Sequence, residues 1–176
     1  MKKKNRMTRI AFVAAMAIVA LMSPHKASAQ AFDGDMDEKV RAGYLNLSGK
    51  SGAELDYTNG LNDYLSYGVF ARMLFDDGND EHEHSFFESL DIGAECFFHW
   101  DEVLHLPSPL DIYTGVQLGW QSGGLAGGLK YNISERWGLY VQAQQGLFDV
   151  SHSKVFDYPF NGRKFGVSAG ITFSLQ

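Results

Sequence analysis

The sequence predicts an all-β protein, an eight-stranded antiparallel up-and-down transmembrane β-barrel. Three observations carry that prediction. From Lys164 to Leu175, Phe165, Val167, Ala169, Ile171, Phe173 and Leu175 fall on one face, and Lys164, Gly166, Ser168, Gly170, Thr172 and Ser174 on the other. Such unbroken period-2 alternation is a strand with one apolar and one small polar face. The chain also opens with a secretion signal. After that signal no stretch is long and apolar enough for a membrane helix. Mean hydropathy is mildly polar at −0.19, as expected when lumen and lipid positions cancel in any averaging window.

Residues 1–29 read as the signal peptide. Lys2, Lys3, Lys4, Arg6 and Arg9 form its positive region, and Ile10 to Met22 its apolar run. Ala27-Ser28-Ala29 supplies small residues for cleavage, so the mature domain is expected to span 30–176. No cysteine follows the apolar run, which argues against a lipoprotein anchor. The leader holds six of the 15 basic residues and none of the 21 acidic ones, leaving the mature chain at a formal charge of −12. That balance argues against nucleic acid or the phosphates of lipopolysaccharide as partners held by bulk electrostatics. The single cysteine, Cys96, excludes an intramolecular disulfide.

The strands follow in order. Lys39 to Ser48 sets Val40, Ala42 and Tyr44 against Arg41 and Gly43; Leu45 and Leu47 then break the phase, as a bulge would. Ala53 to Thr58 is short, with Ala53, Leu55 and Tyr57 against Glu54 and Asp56. Tyr64 to Phe75 sets Leu65, Tyr67, Val69, Ala71 and Met73 against Ser66, Gly68, Phe70 and Arg72. Glu88 to His99 sets Leu90, Ile92, Ala94, Cys96 and Phe98 against Ser89, Asp91, Gly93, Glu95 and Phe97. Leu110 to Gln121 alternates Ile112, Thr114, Val116, Leu118 and Trp120 with Tyr113, Gly115, Gln117 and Gly119. Leu125 to Asn132 places Leu125, Leu129 and Tyr131 outward and Ala126, Gly128 and Lys130 inward. Trp137 to Phe148 alternates Trp137, Leu139, Val141 and Ala143 with Gly138, Tyr140, Gln142 and Gln144. Most of these runs are close to the length that crosses a bilayer on a tilt, about 9–11 residues.

With both termini in the periplasm, the inner turns are Asn59–Asp63, Asp101–Pro109 and Ile133–Arg136. The outer loops are Gly49–Gly52, Asp76–Phe87, Ser122–Gly124 and Asp149–Gly162, so the two longest lie outside, the pattern of outer-membrane barrels. Aromatic residues gather where strands end. Tyr64, Tyr67, Phe98, Trp100, Tyr131 and Trp137 mark one rim, and Phe75, Phe86, Phe87, Trp120 and Phe148 the other.

The ending Ser168-x-Gly170-x-x-Phe173-x-Leu175 resembles the β-signal of outer-membrane proteins, although this chain runs on past its aromatic residue to Leu175-Gln176. The mature chain resembles small eight-stranded barrels of the OmpA/OmpX type, especially the outer-membrane β-barrel proteins of Bacteroidetes. The resemblance implies a Gram-negative outer membrane and lipid and lipopolysaccharide contacts. It also implies a monomer, delivered by the barrel-assembly machinery acting on the C-terminal strand.

The inward face is expected to hold Arg41, Glu54, Asp56, Arg72, Asp91, Glu95 and Lys130. Eight strands leave a lumen that side chains about fill, and charges there must pair. Arg72 is expected beside Glu95 or Asp91. The loop Asp76–His84 is acidic; Asp76, Asp80 and Glu81 offer oxygen ligands and His82 with His84 nitrogen ligands, without matching a full calcium loop. His152 stands beside Ser151 and Ser153, but Ser153 and Lys154 follow it directly, which does not reproduce the arrangement of a lipid-cleaving hydrolase. Phe156, Tyr158 and Phe160 surround Pro159 and suit a partner, a glycan or the barrel rim. His99 and His105 flank the long inner turn and carry no specific message. No catalytic, cofactor-binding or metal-binding residue is assigned and no enzyme activity is expected. The expected role is structural or surface-exposed, with outer loops offered for adhesion or host contact. The rivals are a lipid-modifying enzyme, a narrow porin-like channel and a soluble periplasmic ligand-binding barrel.

Overall fold

The computed structural model describes residues 30–75, 87–151 and 159–175. They form a closed antiparallel barrel in which every strand pairs with its neighbours in sequence and β1 closes on β8. The strands are β1 Glu38–Leu47, β2 Lys50–Asn62, β3 Leu65–Leu74, β4 Leu90–His99, β5 Leu110–Gly119, β6 Ser122–Asn132, β7 Trp137–Asp149 and β8 Phe165–Ser174. A short 3₁₀ turn, Gly34–Met36, precedes β1. The β2–β3, β4–β5 and β6–β7 connections share one end with this turn, called here the turn end. The long β3–β4 and β7–β8 connections lie at the opposite, loop end.

The alternation of each strand decides which way its side chains point. Tyr44, Leu55, Val69, Ile92, Val116, Leu125, Val141 and Ile171 are exposed on the outside. Arg41, Glu54, Asp56, Arg72, Asp91, Glu95, Gln142, Ser168 and Thr172 are buried inside. Cys96 is exposed on the outer face. A water-soluble barrel has the reverse arrangement, because apolar area gains by leaving water and charge loses.

Two strands depart from expectation. β2 runs from Lys50 to Asn62 rather than from Ala53 to Thr58. Its turn-like ends, Lys50-Ser51-Gly52 and Asn59-Gly60-Leu61-Asn62, are held by the β1 ladder at one end and the β3 ladder at the other. The flanking turns therefore shrink to Ser48–Gly49 and Asp63–Tyr64. In β1 there is no bulge at Leu45 and Leu47: the register runs unbroken against both β2 and β8. Both leucines keep the inward phase of Arg41 and Gly43. The composition of the inner face changes there, from charged to apolar. The register shifts that do occur lie at Gly60/Asn62 and Gly123/Gly124. Similarly, the β5–β6 link is Trp120–Gln121, because Ser122 to Gly124 already belong to β6.

The residues before β1 fold back into the turn end. Ala31 and Phe32 are fully buried. The Ala31 N–H donates to the Ser108 carbonyl at 2.7 Å, the Asn132 side-chain amide donates to the Gln30 carbonyl at 2.8 Å, and the Gly60 N–H donates to the Asp37 carbonyl at 2.7 Å. Gly60 has to be glycine for this: a Cβ there would collide with the Gly34 carbonyl oxygen.

Candidate functional site

Among the described residues, chemistry is concentrated in the lumen, which is filled at three levels. At the loop end, Leu45, Leu47, Leu74 and Phe160 form a buried apolar cluster. This cluster is why the inner face of β1 turns apolar.

The middle level is organised around Arg41, which is 3% exposed. Its guanidinium donates to Glu95 Oε1 at 2.7 Å, Tyr113 Oη at 3.0 Å and Gln142 Oε1 at 3.2 Å. It also stands 3.3 Å from Asp56 Oδ2. The rings of Phe97, Tyr113 and Tyr140 surround it at 5.3–5.5 Å. Tyr140 Oη donates to Glu54 at 2.8 Å and Gln117 to Glu95 at 2.8 Å. All seven charged residues expected inside are buried there. Arg72 faces Asp91 in register, as expected, but its ion pair is with Glu54. Arg72 approaches Glu54 across the β2–β3 pair, with 3.5 Å between Nε and Oε2, and its guanidinium lies 4.0 Å from the Phe70 ring centroid. Glu95 is taken by Arg41. Asp91, although opposite Arg72 in register, accepts the Gln121 backbone N–H at 2.9 Å.

The turn-end level contains residues that sequence reasoning left out. His99 Nε2 is 2.8 Å from Ser66 Oγ, and His99 Nδ1 is 2.8 Å from Asp111 Oδ2. Lys130 Nζ stands 3.3 Å from the same Asp111 oxygen. Lys39, ion-paired with Asp37, is buried at this end. The Phe32 ring stacks on the His99 imidazole, with centroids 3.5 Å apart and planes 2° from parallel. His99 therefore sits at the centre of a buried network, which corrects its dismissal as a turn-flanking residue. The signal was available: Lys39, His99 and Asp111 stand two residues from Arg41, Phe97 and Tyr113 in the same inward phase. Phe32 belongs to no strand and so has no phase to read.

Asp101, in the β4–β5 turn outside the strands, is also buried. Burial pushes its carboxyl above the ordinary carboxylate range, and the neighbouring Asp111 adds to the shift. A carboxyl raised on folding binds its proton more tightly in the folded state, so stability falls as pH rises from the ordinary carboxylate range through the raised value. Asp101→Asn should therefore be more stable than the parent near neutral pH and no more stable in acid. Urea midpoints at the two pH values check this.

Of the remaining expectations, Asp76, Asp80, Glu81, His82, His84, Phe86, His152, Ser153, Phe156 and Tyr158 lie outside the described residues. The aromatic rims are seen where described: Tyr64, Tyr67 and Trp137 are exposed at the turn end, and Phe75, Phe87, Trp120 and Phe148 at the loop end. Among the described residues no group of three or more His, Cys, Asp or Glu side chains is placed to hold a metal ion.

No protein-family model matches this chain, and no curated protein matches it by sequence. Among solved structures, it is similar to the N-terminal β-barrel domain of Pseudomonas aeruginosa OprF. The match has a TM-score of 0.53 and 9% identity, and it covers 81% of this chain and 100% of that one. The likeness is one of fold.

Proposed function

We propose that this chain is an integral β-barrel protein of a Gram-negative outer membrane, with a structural and surface-exposed role. The observation that carries the reading is the inside-out arrangement of the barrel wall. Exposed Val69, Ile92, Val116, Leu125, Val141 and Ile171 ring its outside, while charges fill its inside. An apolar surface on this scale needs a partner that is itself apolar, and a closed barrel satisfies its backbone hydrogen bonds without water. A bilayer meets both conditions.

In this reading the turn end faces the periplasm and the loop end faces outward, where it offers loops for adhesion or host contact. Lipids and lipopolysaccharide bathe the wall, β8 is the element read by the barrel-assembly machinery, and the protein works as a monomer. The OprF barrel domain supports the architecture of this reading. A ligand-binding barrel in solution would need the opposite facing, and a channel would need a lumen free of the Arg41 level.

The test is membrane fractionation followed by gel migration of boiled and unboiled samples. An outer-membrane protein whose migration shifts on boiling supports the reading. Release by osmotic shock, with no shift, overturns it.

A further inference from the structure

Three strand ends converge at the turn end. Ser66 is the second residue of β3, His99 the last of β4 and Asp111 the second of β5. β4 lies between the other two strands, so His99 stands between Ser66 and Asp111. An ionised carboxylate only accepts hydrogen bonds, and Lys130 Nζ, 3.3 Å from Asp111, favours that form. The ring proton of His99 is then on Nδ1, donated to Asp111, and the Nε2 lone pair receives the Ser66 hydroxyl. Both distances are 2.8 Å. A hydroxyl on a base, with the base oriented by a carboxylate, is the arrangement of an activated serine.

We propose that Ser66, His99 and Asp111 form a nucleophilic site for acyl transfer from small esters or thioesters, entered from the turn end and capped by Phe32. Phe32 is 1% exposed, and its ring covers the face of the imidazole. It belongs to a segment outside the barrel ladder. If that segment withdraws, it vacates a flat, ring-sized slot against His99, the shape of an aromatic or short acyl group. Lys39 and Lys130 are buried at the same end, and Lys130 Nζ is 5.7 Å from the Phe32 ring centroid.

In the first step the Ser66 Oγ bonds to the carbonyl carbon while its proton passes to His99 Nε2. The bond to the leaving group breaks, and the alcohol or thiol departs with that proton. Water then gives a proton to His99 and attacks the acyl-serine. The carboxylic acid leaves and the Ser66 hydroxyl is restored. Ser66 and His99 act on the substrate; Asp111 is a positioning residue.

The same three side chains would also satisfy one another inside an inert barrel, and reactivity distinguishes the two cases. The full chain, folded in detergent, is treated with a fluorophosphonate probe and the adduct is located by mass spectrometry. Gel migration before and after boiling confirms that each variant is a folded barrel. The proposal expects an adduct on Ser66 that forms several-fold faster in Phe32→Ala. In that background His99→Ala or His99→Gln should slow labelling by about 10²-fold or more, and Ser66→Ala should abolish it. Asp111→Asn should change the pH profile of labelling, because the ring loses the carboxylate that fixes its tautomer and favours its protonated form. No Ser66 adduct on folded Phe32→Ala overturns the proposal, as does labelling at an unchanged rate once His99 is replaced. The outcome does not depend on which membrane holds the barrel.

Discussion

Arg41→Met should destabilise the barrel by about 3–5 kcal/mol, the cost of leaving buried carboxylates without their cation. Among the described residues, Arg41 is the one guanidinium in contact with both Glu95 and Asp56, and it also satisfies Tyr113 and Gln142. Methionine fills similar volume but supplies no charge and no donor, so the loss comes from stranded polar groups rather than from a cavity. The triple variant Arg41→Met/Asp56→Asn/Glu95→Gln should recover most of the loss, because the negative charges go with the cation. Urea unfolding in lipid vesicles, followed by the gel shift between folded and unfolded forms, measures both variants. An Arg41→Met midpoint equal to the parent's would mean that the middle level adds nothing to stability.

On the proposed membrane placement, Ala169→Arg should cost about 2–4 kcal/mol of insertion stability, the penalty for arginine on the lipid face near the bilayer midplane. Ala169 lies midway along β8, exposed on the outer wall between Tyr44 of β1 and Val141 of β7. Its neighbour Ser168 is 1% exposed and faces the lumen. Ser168→Arg should also destabilise, but by overfilling the space beside Gln142, its partner in register. The two effects separate by environment. The Ala169→Arg defect should shrink when arginine is moved along the same face toward either rim, whereas the Ser168→Arg defect should not depend on lipid thickness. Folding titrations in bilayers of two thicknesses check this, and equal, mild effects would count against the facing of β8.

How far the fold was legible depends on which force sets each feature. Strand direction and facing come from period 2, which is local, so the inward placement of Arg41, Glu54, Asp56, Arg72, Asp91, Glu95 and Lys130 could be read directly. The extent of β2 could not. Lys50-Ser51-Gly52 and Asn59-Gly60 have turn-like residues, and only the ladders with β1 and β3 hold them extended. Leu45 and Leu47 were misread for a related reason. Their apolar side chains do not match the Arg41 and Gly43 face of the same strand, yet they point inward, because the loop end of the lumen is closed by an apolar cluster with Phe160. The choice between Glu54, Asp91 and Glu95 as the partner of Arg72 depends on the tilt and stagger of strands, which no single strand encodes. The turn-end site was half visible: phase places His99 and Asp111 inside, but the stacking of Phe32 is a contact across distant sequence with no pattern to announce it.

The seam between β1 and β8 has a consequence for how the chain can be rewired. The Leu175 N–H donates to the Glu38 carbonyl at 2.9 Å, so the first and last strands meet at the turn end. The β1–β2 link is only Ser48–Gly49, at the other end of the wall. A circular permutant joined across the seam and opened at Ser48–Gly49 would keep every rung of the ring while making β1, not β8, the last strand synthesised. The ring as a shape and the identity of the strand made last are therefore separable properties, and the covalent order of the strands can be changed without changing the wall they build.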